Sequence, residues 1–193
     1  MKESKSLADL ADWPKVKLGA HSVIKHAYDN AISASARLYS FATGESPKTD
    51  GPIGDQQEIL ATDDLLVFSI HSRRLIENTI SLQRAKHTLV PAAVAGNRQY
   101  ISMTRVINIL VHHKKILVVR SEKHLKIHFH AASLHDLLHD DDHKIQALCI
   151  VTSDKDSVLI FKIQEMLEIY QEKIVNPIID LCDEHHLFLT ADI

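Results

Sequence analysis

The sequence predicts an α+β fold dominated by helices: an antiparallel helical bundle with a small antiparallel β-meander and a C-terminal helix. Long stretches with helical spacing of apolar residues fill the first half of the chain, and short β-branched or alternating segments follow His113. With 193 residues, of which 45% are hydrophobic, the chain can bury one sizeable core. We therefore predict a flexible segment over 1–18 and a single domain over 19–193.

Two long helices are predicted first. Small and apolar residues recur at helical intervals from Ala20 to Phe41, and residues 42–55 hold three of the five glycines and two prolines, which indicates a loop. A second helix is predicted from about Asp55 to Leu89, and the segment over 90–100, with its proline and glycine, should interrupt it. One polar face borders the buried stripe of this helix and consists of His71, Arg74 and Asn78.

The segment TRVINILVHHKK, residues 104–115, fits two structures. Its β-branched residues favour a strand, which would place Arg105 and His112 on opposite faces. A helix would instead align Arg105, Asn108 and His112 in one polar strip, with an N-cap from Ser102 or Thr104. The strand would lack a clean hydrophobic face, so we predict the helix and keep the strand as the alternative.

A β-meander is predicted at about 115–153. KILVVR over 115–120 is short and β-branched, HLKIHFH over 124–130 alternates, and IQALCIVTS over 145–153 is a third apolar run. Helical periodicity returns over 154–175, and Pro177 should bend or end that helix.

Composition excludes several classes of protein. The formal charge of −3 gives no overall attraction to nucleic acid, so any such contact must come from a local patch. The two cysteines lack metal-site or disulfide spacing, and no long apolar run or apolar leader is visible. We therefore expect a cytoplasmic protein that does not enter a membrane. Phosphate-loop, dinucleotide-binding, serine-hydrolase and kinase motifs are absent from the sequence.

The pair Arg105 and His112, following two long antiparallel helices, resembles the motif of the HEPN (higher eukaryotes and prokaryotes nucleotide-binding) proteins. Their hallmark is an arginine followed four to six residues later by a histidine, and here six residues intervene, Asn108 among them. The long polar-lined helix over 68–80 is similar to those of such bundles, so that the resemblance covers about residues 20–113. It implies a homodimer in which arginine and histidine from both subunits face a shared cleft.

The chemistry that this resemblance implies is metal-independent RNA cleavage. A histidine can accept the proton of a ribose 2′-hydroxyl, and a guanidinium can stabilise the charge that builds on the phosphate. The predicted catalytic residues are Arg105 and His112, supported by Asn108, His71, Arg74 and Asn78. The predicted RNA-binding residues are Arg98, Lys114 and Lys115. The structural alternative is that Arg105 packs on a carboxylate such as Glu77 and that His112 ends a buried helix.

A histidine-rich stretch over 128–143 is the second candidate site. His128 and His130 share a strand face, and His135 and His139 have the spacing of a metal pair on a helix. The glutamate of a zinc-protease motif is missing, and an alternating face is also typical of a solvated strand. We therefore predict no metal site and no cofactor.

Three functions follow in order of preference. The first is a toxin or defence ribonuclease that acts on RNA as a homodimer. The second is a catalytically inactive helical module that binds a partner protein or a nucleotide. The third is a His-rich protein that binds a divalent metal.

Overall fold

Six α-helices, one π-helical turn and five strands form the part of the chain described in this computed structural model, residues 18–44, 51–79, 81–94, 97–120, 147–152 and 158–184. The helices are α1 (Leu18–Thr43), α2 (Pro52–Glu77), α3 (Ser81–His87), α4 (Met103–Val111), α5 (Ile163–Tyr170) and α6 (Asn176–Glu184), with the π-helical turn Gln171–Val175 between the last two. The strands are β1 (Leu89–Val94), β2 (Asn97–Ser102), β3 (Lys115–Val119), β4 (Leu148–Thr152) and β5 (Val158–Lys162). Of the predicted flexible segment over 1–18, only Leu18 is described, and it is the first residue of α1. The strand predicted over 124–130 and the His-rich stretch over 128–143 lie outside the described residues.

The first two helices form an antiparallel pair, as predicted. The Arg37 guanidinium donates to the Asp64 carboxylate at 2.8 Å, and the ring of His26 meets that of His71 edge-on at 5.4 Å between centroids. Residue numbers therefore rise along α1 while they fall along α2. The predicted long second helix ends earlier than expected, because the side chains of Asn78 and Thr79 donate to the carbonyls of Arg74 and Leu75 and stop it there.

The strands form one antiparallel sheet in the order β2-β1-β5-β4-β3. The strands predicted at 115–120 and 145–153 are confirmed as β3 and β4. The predicted meander would place the segment 124–130 between them, but β3 pairs directly with β4, and Leu117 lies opposite Ile150. The segment over 90–100, expected to interrupt the helices, instead contributes to the antiparallel strands β1 and β2. Pro91 is tolerated there because β5 pairs only with Ala93 and Val94, so no ladder bond to β5 is lost at Pro91.

The start of the predicted helix over 154–175 is wrong. Residues 158–162 are the central strand β5, and the helix begins only at Ile163. Strand β5 is buried on both faces, so its apolar run carries no alternation that distinguishes it from a helix.

The helices cover one face of the sheet. Alternate strand residues such as Val118, Cys149 and Phe161 join the main core with α1, α2, α4 and α5, and their neighbours form a smaller cluster on the opposite face. Phe68 of α2 and Tyr170 of α5 meet edge-on at 4.9 Å at the centre of the main core. This core holds α2 and α4 against each other, and the candidate site lies where the two helices meet at the surface.

Candidate active site

Helix α4 forms because its ends and its buried face suit a helix. The Ser102 hydroxyl accepts a hydrogen bond from the backbone N–H of Arg105 at 3.3 Å, which caps the first turn. Four apolar residues of the helix are buried: Met103, Val106, Ile107 and Leu110. The backbone N–H of His112 donates to the Asn108 carbonyl at 3.0 Å and closes the last turn. The prediction of a helix over this segment is confirmed, and the strand alternative is excluded.

The predicted polar strip lies on the exposed face of α4. Arg105, Asn108 and His112 are all exposed, as their spacing on one helix face requires. Helix α4 follows directly on β2, at one edge of the sheet, and leads into β3 at the other edge. Arg105 and His112 are seven residues apart, which is about 10 Å along the helix axis. The two side chains therefore lie at opposite ends of the same exposed face.

His112 is held by an arginine that sequence reasoning missed. The Nη1 of Arg73, on α2, lies 2.8 Å from Nε2 of His112, and the Nε of the same guanidinium donates to Oε1 of Glu77 at 2.8 Å. The site thus contains a chain of three polar side chains, Glu77–Arg73–His112, that joins α2 to the end of α4. Arg73 and Glu77 are four residues apart, which predicts their ion pair, but the contact with His112 spans 39 residues. No local pattern indicates a contact of that range.

The contact with Arg73 defines which nitrogen of His112 carries a proton. A guanidinium only donates hydrogen bonds, so Nε2 of His112 must accept one, and the proton of the neutral imidazole then lies on Nδ1. The side chains of Arg73 and Glu77 are 34% and 49% exposed, so a dissolved ligand can reach the pair. The arrangement places a basic nitrogen beside a permanent cation at the surface.

The residues predicted to support the site lie elsewhere on α2. His71 is two residues from Arg73, which puts it about 200° around the helix, where it meets His26 of α1. Its Nδ1 is buried without a hydrogen-bond partner, and burial, helped by the nearby Arg74, lowers the pKa of His71 below 6.5. Asn78 is the C-cap of α2, and Arg74 points to solvent. In the structure, none of the three is in contact with His112.

The predicted RNA-binding cations are exposed but divided between two places. Arg98 lies on β2 and Lys115 on β3, which are the opposite edges of the sheet, with Lys114 directly before β3. Four strand spacings separate these edges by about 19 Å. Of these three cations, Lys114 and Lys115 are the closest to His112 in sequence.

Other chemistries find little support in the described part of the chain. No group of three or more His, Cys, Asp or Glu side chains there could hold a metal ion, and no helix there is long and apolar enough to cross a membrane. Both cysteines are buried free thiols. Burial raises the pKa of Cys149, and burial with the nearby Asp183 raises that of Cys182 to about 11, so neither is an activated nucleophile.

Comparison with known proteins assigns no family. No protein-family model matches this chain, and no curated protein or solved structure matches it.

Proposed function

We propose that this protein is a metal-independent, HEPN-like endoribonuclease of the toxin or defence type that works as a cytoplasmic homodimer. The observation that supports the proposal best is the exposed His112, whose Nε2 lies 2.8 Å from the Arg73 guanidinium. A base and a cation at hydrogen-bond distance are the two groups that cleavage of RNA through its own 2′-hydroxyl needs. The buried free thiols fit a reducing compartment.

In the proposed reaction, Nε2 of His112 takes the proton of a ribose 2′-hydroxyl, and the 2′-oxygen attacks the adjacent phosphorus. The bond from phosphorus to the 5′-oxygen breaks, and that oxygen takes a proton from solvent. The products are a 2′,3′-cyclic phosphate and a 5′-hydroxyl. Arg73 stabilises the negative charge on the phosphate near His112, and Arg105 binds the RNA backbone at the other end of α4. Lys114 and Lys115 add local positive charge.

Substrate binding would also prepare the base. In the free protein the lone pair of Nε2 accepts from Arg73, so it is not available to take a proton. A phosphate is a stronger acceptor for a guanidinium than a neutral imidazole, because the bond is charge-assisted and can be bidentate. We expect the RNA backbone to draw Arg73 onto a phosphate oxygen, which frees Nε2 at the moment when the 2′-hydroxyl arrives.

The second candidate function is a catalytically inactive module that binds a partner protein or a nucleotide. A groove of about 540 Å³ between α1 and the α5 region favours it. This volume is within the range of small-molecule sites, and a π-helical turn forms one side of it. Its lining includes Ala36, Tyr39, Leu167, Gln171 and Asn176. The groove is separate from the His112 contact, so the two functions can be tested separately.

The deciding experiment is an RNA-cleavage assay with the full chain, with and without EDTA. We expect cleavage that leaves cyclic phosphate ends and is unchanged by EDTA, because the proposed groups are a base and two cations. His112→Ala should lower the rate by about 10² to 10⁴, and His87→Ala, which alters an exposed histidine on α3, should not.

Four results would overturn the proposal. An inactive wild-type protein would leave the binding module as the better account. Equal activities of His112→Ala and the wild type would remove the assigned base. A large fall in the melting temperature of His112→Ala would show that His112 is mainly a structural residue. Inhibition by EDTA would redirect attention to a divalent metal and the His-rich stretch.

A further inference from the structure

Helix α2 exposes several large apolar side chains in addition to those that it buries in the core. Four of the large apolar side chains exposed in the described structure lie on it, which is half of the total. They are Ile53, Ile59, Leu60 and Ile70, with 64%, 54%, 55% and 43% of their surface accessible. A surface helix with one buried face normally carries polar residues on the other, so this concentration on one helix is unusual.

We define the outward face of α2 as Ile59, Asp63, Leu66, Ile70 and Arg74. These residues repeat at intervals of four, three, four and four, which keeps them on one line of the helix. The opposite side holds the buried residues that pack into the core. Among the described residues, α1 contacts one flank through Asp64 and α4 contacts the other through Arg73. Between them, Leu66 is half-buried and the other four residues of the outward face are exposed in the described structure.

Two charges on this face have no partner in the described structure. Asp63 and Arg74 are exposed, and neither forms an ion pair or a side-chain hydrogen bond with another described residue. They are opposite in sign and lie three turns apart, with Leu66 and Ile70 between them. The midpoint between Asp63 and Arg74 and the midpoint between Leu66 and Ile70 therefore lie within about half a residue of each other along the helix.

The four residues of this face from Asp63 to Arg74 are complementary to themselves. If a second α2 packs antiparallel on the outward face about a two-fold axis near residue 68, Leu66 of one copy meets Ile70 of the other, and Asp63 meets Arg74 at both ends. A surface made for an unrelated partner would have no reason to show this symmetry. We propose that the outward face of α2 is the interface at which two copies of this chain form a two-fold dimer.

The proposed interface also places the two candidate sites. Arg73 is between four and five residues from the axis, so the two Arg73–His112 contacts lie about 14 Å apart along the paired helices. This placement of two active sites rests on the proposed function, because it treats the Arg73–His112 contacts as catalytic. The dimer itself rests only on the outward face, and its test needs no RNA.

The first measurement is sedimentation of the full chain at concentrations up to roughly tens of micromolar. We expect the wild type to dimerise and Ile70→Glu to be monomeric, because a buried carboxylate opposes the apolar contact. Leu89→Glu is the matched control: Leu89 is 53% exposed but lies on β1, so this variant should dimerise like the wild type. Melting curves check that both variants fold.

A charge exchange gives the sharper test. Asp63→Arg and Arg74→Asp should each weaken dimerisation by about tenfold or more, since each places like charges together at both ends. An equimolar mixture of the two variants should restore it, because a dimer with one copy of each variant pairs opposite charges twice. No effect confined to one folded chain produces this recovery.

The outcomes separate the possible occupants. A wild type that stays monomeric would show that another segment of this chain or a different protein covers the face, and would overturn the proposal. A dimer indifferent to Ile70→Glu, or a mixture that fails to recover, would overturn it equally. An inactive protein that passes both tests would remove the proposed ribonuclease function and leave the dimer.

Discussion

The guanidinium of Arg73 bridges Glu77, one turn along α2, and His112, at the end of α4, with both N–H contacts at 2.8 Å. The bridge joins two helices at the surface and sets the orientation and tautomer of the His112 ring. It also identifies Arg73 as the cation next to the proposed base, a position that the Arg105–His112 motif assigned to Arg105.

The first prediction concerns Arg73. Arg73→Gln should lower kcat/KM for RNA cleavage by about 10² to 10³, which is the usual effect of removing a donor to a developing charge. Arg73→Lys should recover part of the loss, since the charge remains but the fork is gone. Glu77→Gln should retain or raise activity, because the carboxylate competes with phosphate for the guanidinium. Steady-state kinetics on the three variants check this. A loss in Glu77→Gln equal to that in Arg73→Gln would show that the ion pair acts as one structural unit.

The second prediction ranks the remaining residues on the face of α4. Arg105→Ala should reduce cleavage by about 10² through lost phosphate stabilisation. Asn108→Ala should have a smaller effect, since the Asn108 amide, between Arg105 and His112, would only orient the reacting groups. Both residues are exposed, so melting temperatures should stay close to that of the wild type. Wild-type activity in Arg105→Ala would mean that Arg73 alone supplies the catalytic cation.

The third prediction concerns stability at the end of α1. Gly44 has φ +82°, and a Cβ there would lie 2.6 Å from Nη2 of Arg120, a buried residue whose guanidinium lies over Phe41. The backbone conformation alone should make Gly44→Ala cost about 1–2 kcal/mol in unfolding free energy, with a further cost from displacing Arg120. Denaturant titration should show a smaller cost when the same change is made in an Arg120→Ala background. Equal costs in both backgrounds would contradict the steric contact.

The fourth prediction is a pH dependence that arises from His71. Burial first, then Arg74 and His26, lowers the pKa of His71 in the folded state, while the unfolded chain retains a value near 6.5. At pH above 6.5 both states are neutral there and the group has no effect on stability. As the pH falls below 6.5 the unfolded state binds the proton first, so the free energy of unfolding decreases. His71→Gln should flatten this slope in denaturant titrations at several pH values, whereas His87→Gln should leave it. A slope unchanged by His71→Gln would assign it to other groups.

The α4 segment shows how far local pattern predicts this protein. Its helix was predictable because Ser102 supplies a cap and the apolar residues fall on one face, and this decided against the β-branched content. The same reasoning failed at β5, where the apolar run over 158–161 is buried between β1 and β4. Strands β1 and β2 were missed for a related reason. Pro91 is compatible with β1 because β5 does not pair with it there. Such pairing is a property of the whole sheet, which a local sequence pattern does not contain.

The sequence by itself determined the class of fold, the antiparallel pair of α1 and α2, and the exposed strip of Arg105, Asn108 and His112, because periodicity and capping act over a few residues. Tertiary structure alone decided that Arg73 would meet His112, that His71 would turn to α1, and that the outward face of α2 would stay open. These contacts depend on how helices far apart in the chain pack on a common sheet. Each side chain in such a contact could pair with many different partners, and only the packing of the helices decides which partner it meets.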